Sequence, residues 1–279
     1  MTPDGLTVVT ATRGRPEVLL DKAHALAAQT LPRDRFEWIV AFDGPAPALE
    51  ERLTREVGDA VRLRTVVTPG VGPGPARDAA AGEARYEVLY LSDDDCLPDP
   101  RTLARHLDAQ ARPGLYLGAV IFEEEDGRQR RWAPRRPGWW NVGGANASLP
   151  RAAFEAVGGF GRELRGYGGE DLWLGWRLAR HGVPIRALPH AAVLHRGPDP
   201  ERAASPERAQ QAGANAVRIA RMEPRLAWRL GVHPSMVRTK MALLPPLAAM
   251  GESRWIGREL AYARGAQQAW RAEAEEAAP

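Results

Sequence analysis

The sequence predicts an α/β protein: an open, mostly parallel sheet flanked by helices, with a helical C-terminal extension. Three observations predict it. Apolar runs of strand length alternate with helix-spaced segments from Leu6 to Leu91, the pattern of a parallel sheet with crossover helices. The runs tend to stop at Gly, Pro or Asp, which punctuate turns. Beyond Pro200 no strand pattern remains, only amphipathic segments rich in arginine.

The elements follow in order. Leu6 to Ala11 (LTVVTA) is the first strand and turns at Thr12-Arg13-Gly14-Arg15. Pro16 suits the first position of a helix, and Val18, Leu19, Ala23 and Leu26 keep helical spacing. Phe36 to Phe42 is the second strand, stopped by Asp43-Gly44-Pro45. Leu49, Leu53 and Val57 mark a helix, and Val61 to Val67 a strand. A Gly- and Pro-rich loop, Thr68 to Pro75, leads into a helix over Ala76 to Ala84, and Tyr86 to Leu91 is the fourth strand. Leu103 to Ala111 reads as helix and Leu115 to Phe122 as strand. Glu123 to Trp140 is polar, charged and aromatic and reads as a mobile loop over a site. Gly143 to Leu149 precedes a helix starting near Pro150. Ser205 to Glu223, Leu226 to Leu230, Pro234 to Leu244 and Ser253 to Ala274 read as helices. Two domains are expected, 1–200 and 201–279.

Composition excludes several classes. A net charge of +3 over 279 residues, with no dominant basic run, argues against nucleic acid as a partner. Cys96 is the only cysteine, so neither a disulfide framework nor a thiolate metal cluster is expected. The first residues lack a charged-then-apolar leader pattern, and the longest apolar stretch, Met241 to Met250, contains Pro245 and Pro246 and is far below the ~20 residues of a spanning helix. The expectation is a cytoplasmic protein, at most peripheral on the inner face of a membrane.

Two short stretches carry the chemistry. In LSDDDCLPD, Asp93, Asp94 and Asp95 follow the apolar run Val88-Leu89-Tyr90-Leu91, at the strand end where open sheets bind ligands. Asp93 and Asp95 project to one side of an extended segment and can converge on a cation, a hard ion that takes oxygen ligands, while Asp94 points away into the protein. The plain alternative is a solvated turn. In GYGGEDLWLGWRL, Glu170 and Asp171 open a helix behind Gly168-Gly169. Acids in a first helical turn are favoured by the dipole alone, but two glycines admit a ligand to the backbone, and Tyr167 offers a flat face to a sugar ring. Metal plus base suits group transfer off a phosphate leaving group. If Ala191 to His195 is a strand, His190 and His195 face opposite ways and only one can join the site. Arg77, opening the helix after the Gly/Pro loop, reads either as a diphosphate contact or as an ordinary exposed arginine.

Together these segments resemble the inverting glycosyltransferases of the GT-A fold, family 2 in the broad sense. TVVTATRGRPEVL is similar to that group's first strand and nucleotide turn, VAFDGP to its base-reading second strand, and PGPARDAA to its G-x-x-x-A-R-N segment, with Asp78 in place of Asn. Gly143 to Leu178 resembles the C-terminal signature of galactosyl- and N-acetylgalactosaminyl-transferases, with Tyr167 where Trp is usual. The resemblance covers Leu6 to Gly197. It implies a donor site drawing on Thr10, Thr12, Arg13, Asp43, Arg77, Asp93, Asp94 and Gly144, with UDP-sugars favoured. It implies Mn²⁺ or Mg²⁺ on Asp95 and His195, with Asp93 beside them in the D-x-D motif. It makes Asp171 the base and Glu170, Tyr167 and Gly169 the acceptor contacts. The acceptor would be a carbohydrate or glycolipid, in polysaccharide or glycoconjugate synthesis.

Two rivals stay open. A sugar-phosphate nucleotidyltransferase would carry a Gly-rich first loop with lysine, which ATRGRP lacks. A non-catalytic nucleotide-sugar- or carbohydrate-binding relative would have no need of Asp93, Asp95, Asp171 and His195 together. The basic tail could dock on anionic lipid, form a homodimer, or pack on the sheet; the last needs the fewest assumptions.

Overall fold

The computed structural model describes residues 3–57, 60–123, 127–161, 163–164, 166–196, 205–249, 251 and 253–276. Nine strands form one sheet: β1 (Leu6–Thr12), β2 (Phe36–Asp43), β3 (Leu63–Thr68), β4 (Val88–Leu91), β5 (Cys96–Pro98), β6 (Leu115–Glu123), β7 (Gln129–Trp132), β8 (Ala147–Pro150) and β9 (Ile185–His195). Their order is β3-β2-β1-β4-β8-β6-β9-β5, with β7 paired to β6. Strands β3, β2, β1 and β4 are parallel. The antiparallel partners are β8, β7 and β5. The mostly parallel expectation holds, and β5, β7 and β8 are strands that the sequence did not predict.

Strands buried on both faces read as nearly continuous apolar runs, as β1 and β2 do. Alternate residues go to opposite faces. Val8, Trp38, Val40 and Tyr90 pack on Leu19 and Leu53, from α1 (Pro16–Ala27) and α2 (Pro47–Val57). Val9, Ile39, Leu89 and Leu91 pack on the other side, against helices α3 (Pro73–Gly82), α5 (Arg151–Ala156) and α6 (Glu170–Arg180). Helix α4 (Thr102–Ala109) adds Leu103 and Leu107 to the first face. Beneath β4, His106 of α4 is fully buried, with Nδ1 2.8 Å from Ser148 Oγ and Nε2 2.9 Å from Asn146 Oδ1.

The Glu123 to Trp140 segment is not the structureless loop expected, although 124–126 lie outside the described residues. Gln129–Trp132 pairs with β6, and Trp139–Asn141 forms a 3-10 turn. Trp139 is buried and meets Trp176 edge-on, so it packs as core; Trp140 beside it is exposed. Aromatic bulk explains both the misreading and the packing: a tryptophan in a polar context serves a rim or a core equally well.

After residue 205 come α7 (Pro206–Met222), α8 (Leu226–Arg229), α9 (Pro234–Ala249) and α10 (Arg254–Glu276). Ser205 caps the first by accepting from Arg208 N. Helix α9 runs on through Pro245 and Pro246 instead of stopping at Leu244. Val217, Ala227, Val232, Val237 and Ala266 make a separate small core. The chain divides into two compact units, Met1–Gly161 with Asp171–Asp199, and Arg162–Glu170 with Pro200–Pro279. The segment just before Asp171 thus groups with the C-terminal helices. No helix among the described residues is long and apolar enough to cross a membrane.

Candidate functional site

Between β1 and β4 the strand order reverses direction, with β2 and β3 on one side and β8 on the other. Crevices at such switch points hold ligands at the strands' carboxyl ends, and Asp93, Asp94 and Asp95 leave β4 there. The turn is held by one buried cation. Lys22 Nζ donates to Ser92 Oγ at 2.6 Å, Asp93 O at 2.8 Å and Cys96 O at 3.0 Å. Burial lowers the Lys22 pKa, while the thiol and the three carboxylates nearby work against that loss. Lys22 is one of two lysines in the chain. A compact ammonium satisfies three acceptors converging on one point, where the planar fork of arginine would not. Sequence reasoning missed it, because its partners lie far along the chain.

Asp94 points inward as expected. Its Oδ2 accepts from Thr12 Oγ1 at 2.7 Å, and Arg15 bonds both its oxygens. Arg15 Nη2 also reaches Asp95 Oδ2 at 2.9 Å. Arg15 is a second residue the sequence did not single out. Asp95 is buried, and its remaining oxygen, Oδ1, lies 3.5 Å from His195 Nε2. Burial pushes the Asp95 carboxyl up, Asp93 adds to that, and His195 and Arg15 oppose it. His195 ends β9 directly opposite Cys96 of β5. One carboxylate oxygen, one imidazole nitrogen and the Cys96 sulfur lie within 4.8 Å of one another. That donor set fits a divalent cation. His190 is exposed and its carbonyl takes Arg105 Nη1. Alternation allowed only one of the two histidines to face the site without choosing between them, and the strand is less regular than that argument assumed: the β6–β9 register shifts between Gly118 and Ala119 and leaves residues 189–191 unpaired.

Arg77 is buried, which removes the exposed-arginine alternative. It pairs with Asp93 Oδ1, its Nη1 is 3.9 Å from Asp171 Oδ1, and its guanidinium stands 5.3 Å from the Phe160 ring centroid. The two acidic motifs therefore meet through one arginine. Gly144 lies behind the pair: a Cβ there would sit 2.9 Å from Arg77 Cζ and 3.1 Å from Asp93 Oδ1. Asp43 is buried and accepts from Arg13 Nε at 3.0 Å, Thr68 Oγ1 at 3.1 Å and Gly72 N at 3.1 Å. Arg13 is largely exposed beside it. Thr10 is fully buried, donating to Ser92 O and accepting from Trp38 Nε1. It braces the strand end and offers no free group to a ligand.

The Tyr167 to Glu170 segment has a structural explanation within its own unit. Gly168 and Gly169 have φ of +92° and +94°, and a Cβ on Gly168 would meet Ala212 Cβ at 2.9 Å. A helix, not a ligand, makes the close approach that excludes a side chain. Asn215 Nδ2 donates to Gly168 O at 2.8 Å, Gln211 Oε1 accepts from Tyr167 N at 3.1 Å, and Arg208 lies 5.0 Å from the Tyr167 ring centroid. These three helix residues went unnoticed because nothing local marks them.

Comparison with known proteins identifies the family and the fold. Residues 7–165 match the family described as Glycosyl transferase family 2. The chain is 29% identical over 222 residues to a validoxylamine A glucosyltransferase of Streptomyces hygroscopicus subsp. jinggangensis, covering 64% of this chain and 52% of that protein. It thus spans about half the length of the curated relatives it matches. Among solved structures it is similar to the mannosyltransferase PcManGT from Pyrobaculum calidifontis in complex with GDP-Man and Mn²⁺. The TM-score is 0.62 at 21% identity, over 97% of this chain and 88% of that one. It is also similar to GalNAc-T7 with UDP, GalNAc and Mn²⁺, with a TM-score of 0.60 at 17% identity, over 78% and 48%. The fold shared with these neighbours is GT-A.

Proposed function

This chain belongs to glycosyl transferase family 2, and from that premise we propose that it moves a sugar from a nucleotide-diphosphate sugar to an acceptor hydroxyl, with inversion at the anomeric carbon. The observation that carries the reading is two adjoining pairs beyond β4: Asp95 beside His195, and Asp93 joined to Asp171 through Arg77. A binding protein without chemistry has no use for a second carboxylate beside the donor carboxylates, which disfavours the non-catalytic alternative. The resemblance of Gly143 to Leu178 to the galactosyl- and N-acetylgalactosaminyl-type signature favours a UDP-sugar, and the neighbours solved with GDP-Man and with UDP support a nucleoside diphosphate in general.

Asp95 and His195 would hold Mn²⁺ or Mg²⁺. Such a cation, when bound, offsets the charge that develops on the leaving diphosphate. Asp171 accepts the acceptor proton as the new bond forms; an ordinary carboxylate suffices because the hydroxyl turns acidic only near the transition state. Glu170 and the Tyr167-to-Gly169 backbone orient the acceptor, a carbohydrate or glycolipid. Asp43 and Arg13 receive the base, and Arg77 and Asp93 the diphosphate sugar. The protein is read as cytoplasmic, with the helices after residue 205 as the part able to meet a lipid surface or a second copy.

A thermal-shift panel of UDP- and GDP-sugars with Mn²⁺ tests the reading. A ligand at a hundred times its Kd adds ~2.7 kcal/mol to stability, and Asp95→Ala should lose that response. If no nucleotide sugar shifts the transition and none is hydrolysed or transferred, the reading is wrong.

A further inference from the structure

We propose that Cys96 is a third protein ligand to the divalent cation, so that the site accepts Zn²⁺ or Co²⁺ through a sulfur bond in addition to the Mn²⁺ or Mg²⁺ that Asp95 and His195 would hold. The inference rests on the metal reading of this site and extends it.

Strand pairing supplies the geometry. Cys96 of β5 faces His195 of β9 across an antiparallel pair, and directly opposed residues send their side chains to the same face. Cys96 Sγ lies 3.7 Å from Asp95 Oδ1, and that oxygen lies 3.5 Å from His195 Nε2. A tetrahedral cation with a metal–sulfur bond of ~2.3 Å and metal–nitrogen and metal–oxygen bonds of ~2.0–2.1 Å separates its donor atoms by roughly 3.3–3.7 Å. Two of the three separations are already at that spacing, and all three atoms lie within 4.8 Å of one another. They come from neighbouring backbone positions and can close further by side-chain rotation.

The surroundings fix the donors' directions. Arg15 holds Asp95 Oδ2 at 2.9 Å, which turns Oδ1 toward the imidazole and the sulfur. Lys22 holds the Cys96 carbonyl at 3.0 Å. Val120 and Val193 pack against Cys96, with Phe122, Trp132 and Ala145 around them. An apolar wall on one side and ligating atoms on the other is the setting of a structural metal thiolate as much as of a packed thiol. The sulfur changes selectivity: one oxygen and one nitrogen leave the choice to hard cations, while a thiolate favours softer ones. On binding, the metal–sulfur bond forms as the S–H bond breaks, and the proton leaves to solvent. No oxidant is needed.

The test titrates the full chain with Co²⁺ alone, without nucleotide and under argon. Equimolar binding should produce visible cobalt bands and a thiolate-to-cobalt charge-transfer band in the near ultraviolet. The chain has one cysteine, so the wild-type spectrum decides the matter even if a variant fails to fold. Cys96→Ser should lose the ultraviolet band, keep weaker visible bands and bind Co²⁺ at least tenfold less tightly. Visible bands without charge transfer in the wild type would overturn the sulfur ligand and leave the Asp95–His195 reading standing. A charge-transfer band that survives in Cys96→Ser would overturn it as well. No Co²⁺ binding, with or without UDP, would overturn both.

Discussion

Arg77 Nη1 lies 3.9 Å from Asp171 Oδ1, while the same guanidinium bonds Asp93. One buried cation therefore faces both carboxylates, which the proposed mechanism assigns to the donor and the acceptor. Asp171→Asn should separate the two. The amide keeps the size of the carboxylate and cannot accept the acceptor's proton, so nucleotide-diphosphate and metal affinity should survive. Turnover should fall by the ~10²–10⁴-fold that a positioned base supplies. Calorimetric titration and turnover on one preparation decide it; unchanged turnover would move the base to Glu170 or the Asp triplet.

His195→Ala should weaken metal binding at least tenfold, and His190→Ala should leave it nearly intact. His195 is buried 3.5 Å from Asp95 Oδ1, whereas His190 is exposed in the bulged part of β9. Metal titration of both variants is the measurement, and equal losses would contradict the assignment.

Lys22→Met should destabilise the fold by about 3 kcal/mol or more, since it strands buried acceptors on Ser92, Asp93 and Cys96. Lys22→Arg should not restore the wild-type stability, because charge is retained but the convergent geometry is lost. Urea denaturation followed by tryptophan fluorescence reads both. Equal stability of Lys22→Arg and wild type would show that charge alone suffices.

Stability should also fall with acid before the carboxylates titrate. Burial pushes the His106 imidazole down to about 4 from an ordinary 6.5. As pH falls the unfolded chain takes up this proton first, so the contribution is complete above pH 6.5 and is lost progressively toward pH 4. The loss is roughly 3 kcal/mol. Denaturation midpoints between pH 7 and 4 should fall less steeply in His106→Gln than in wild type; identical slopes would remove His106 as the cause.

The sheet was legible because its central strands are apolar on both faces and end in Asp, Gly or Pro. What escaped is long-range. Strand β5 has three residues beside an acidic turn and exists only because β9 pairs with it. Lys22 and Arg15 look like ordinary residues of a first helix and turn until the Asp triplet folds against them. Asp95 was readable from its strand end, but His195 needed the resemblance, since no local pattern marks a ligand a hundred residues away. The packing of the glycines before Asp171 was hidden for a similar reason. Their crowding partners, Ala212 and Ile219, belong to a helix that follows much later.

That packing has a consequence for inheritance. Asn215 and Gln211 hold the backbone of Tyr167 and Gly168, so this loop and the helix after residue 205 are a single heritable part. Exchange of C-terminal helices between relatives, by recombination or at the bench, would replace the scaffold under the loop without altering one residue of the sheet. Truncation after β9 would leave that loop without its mould.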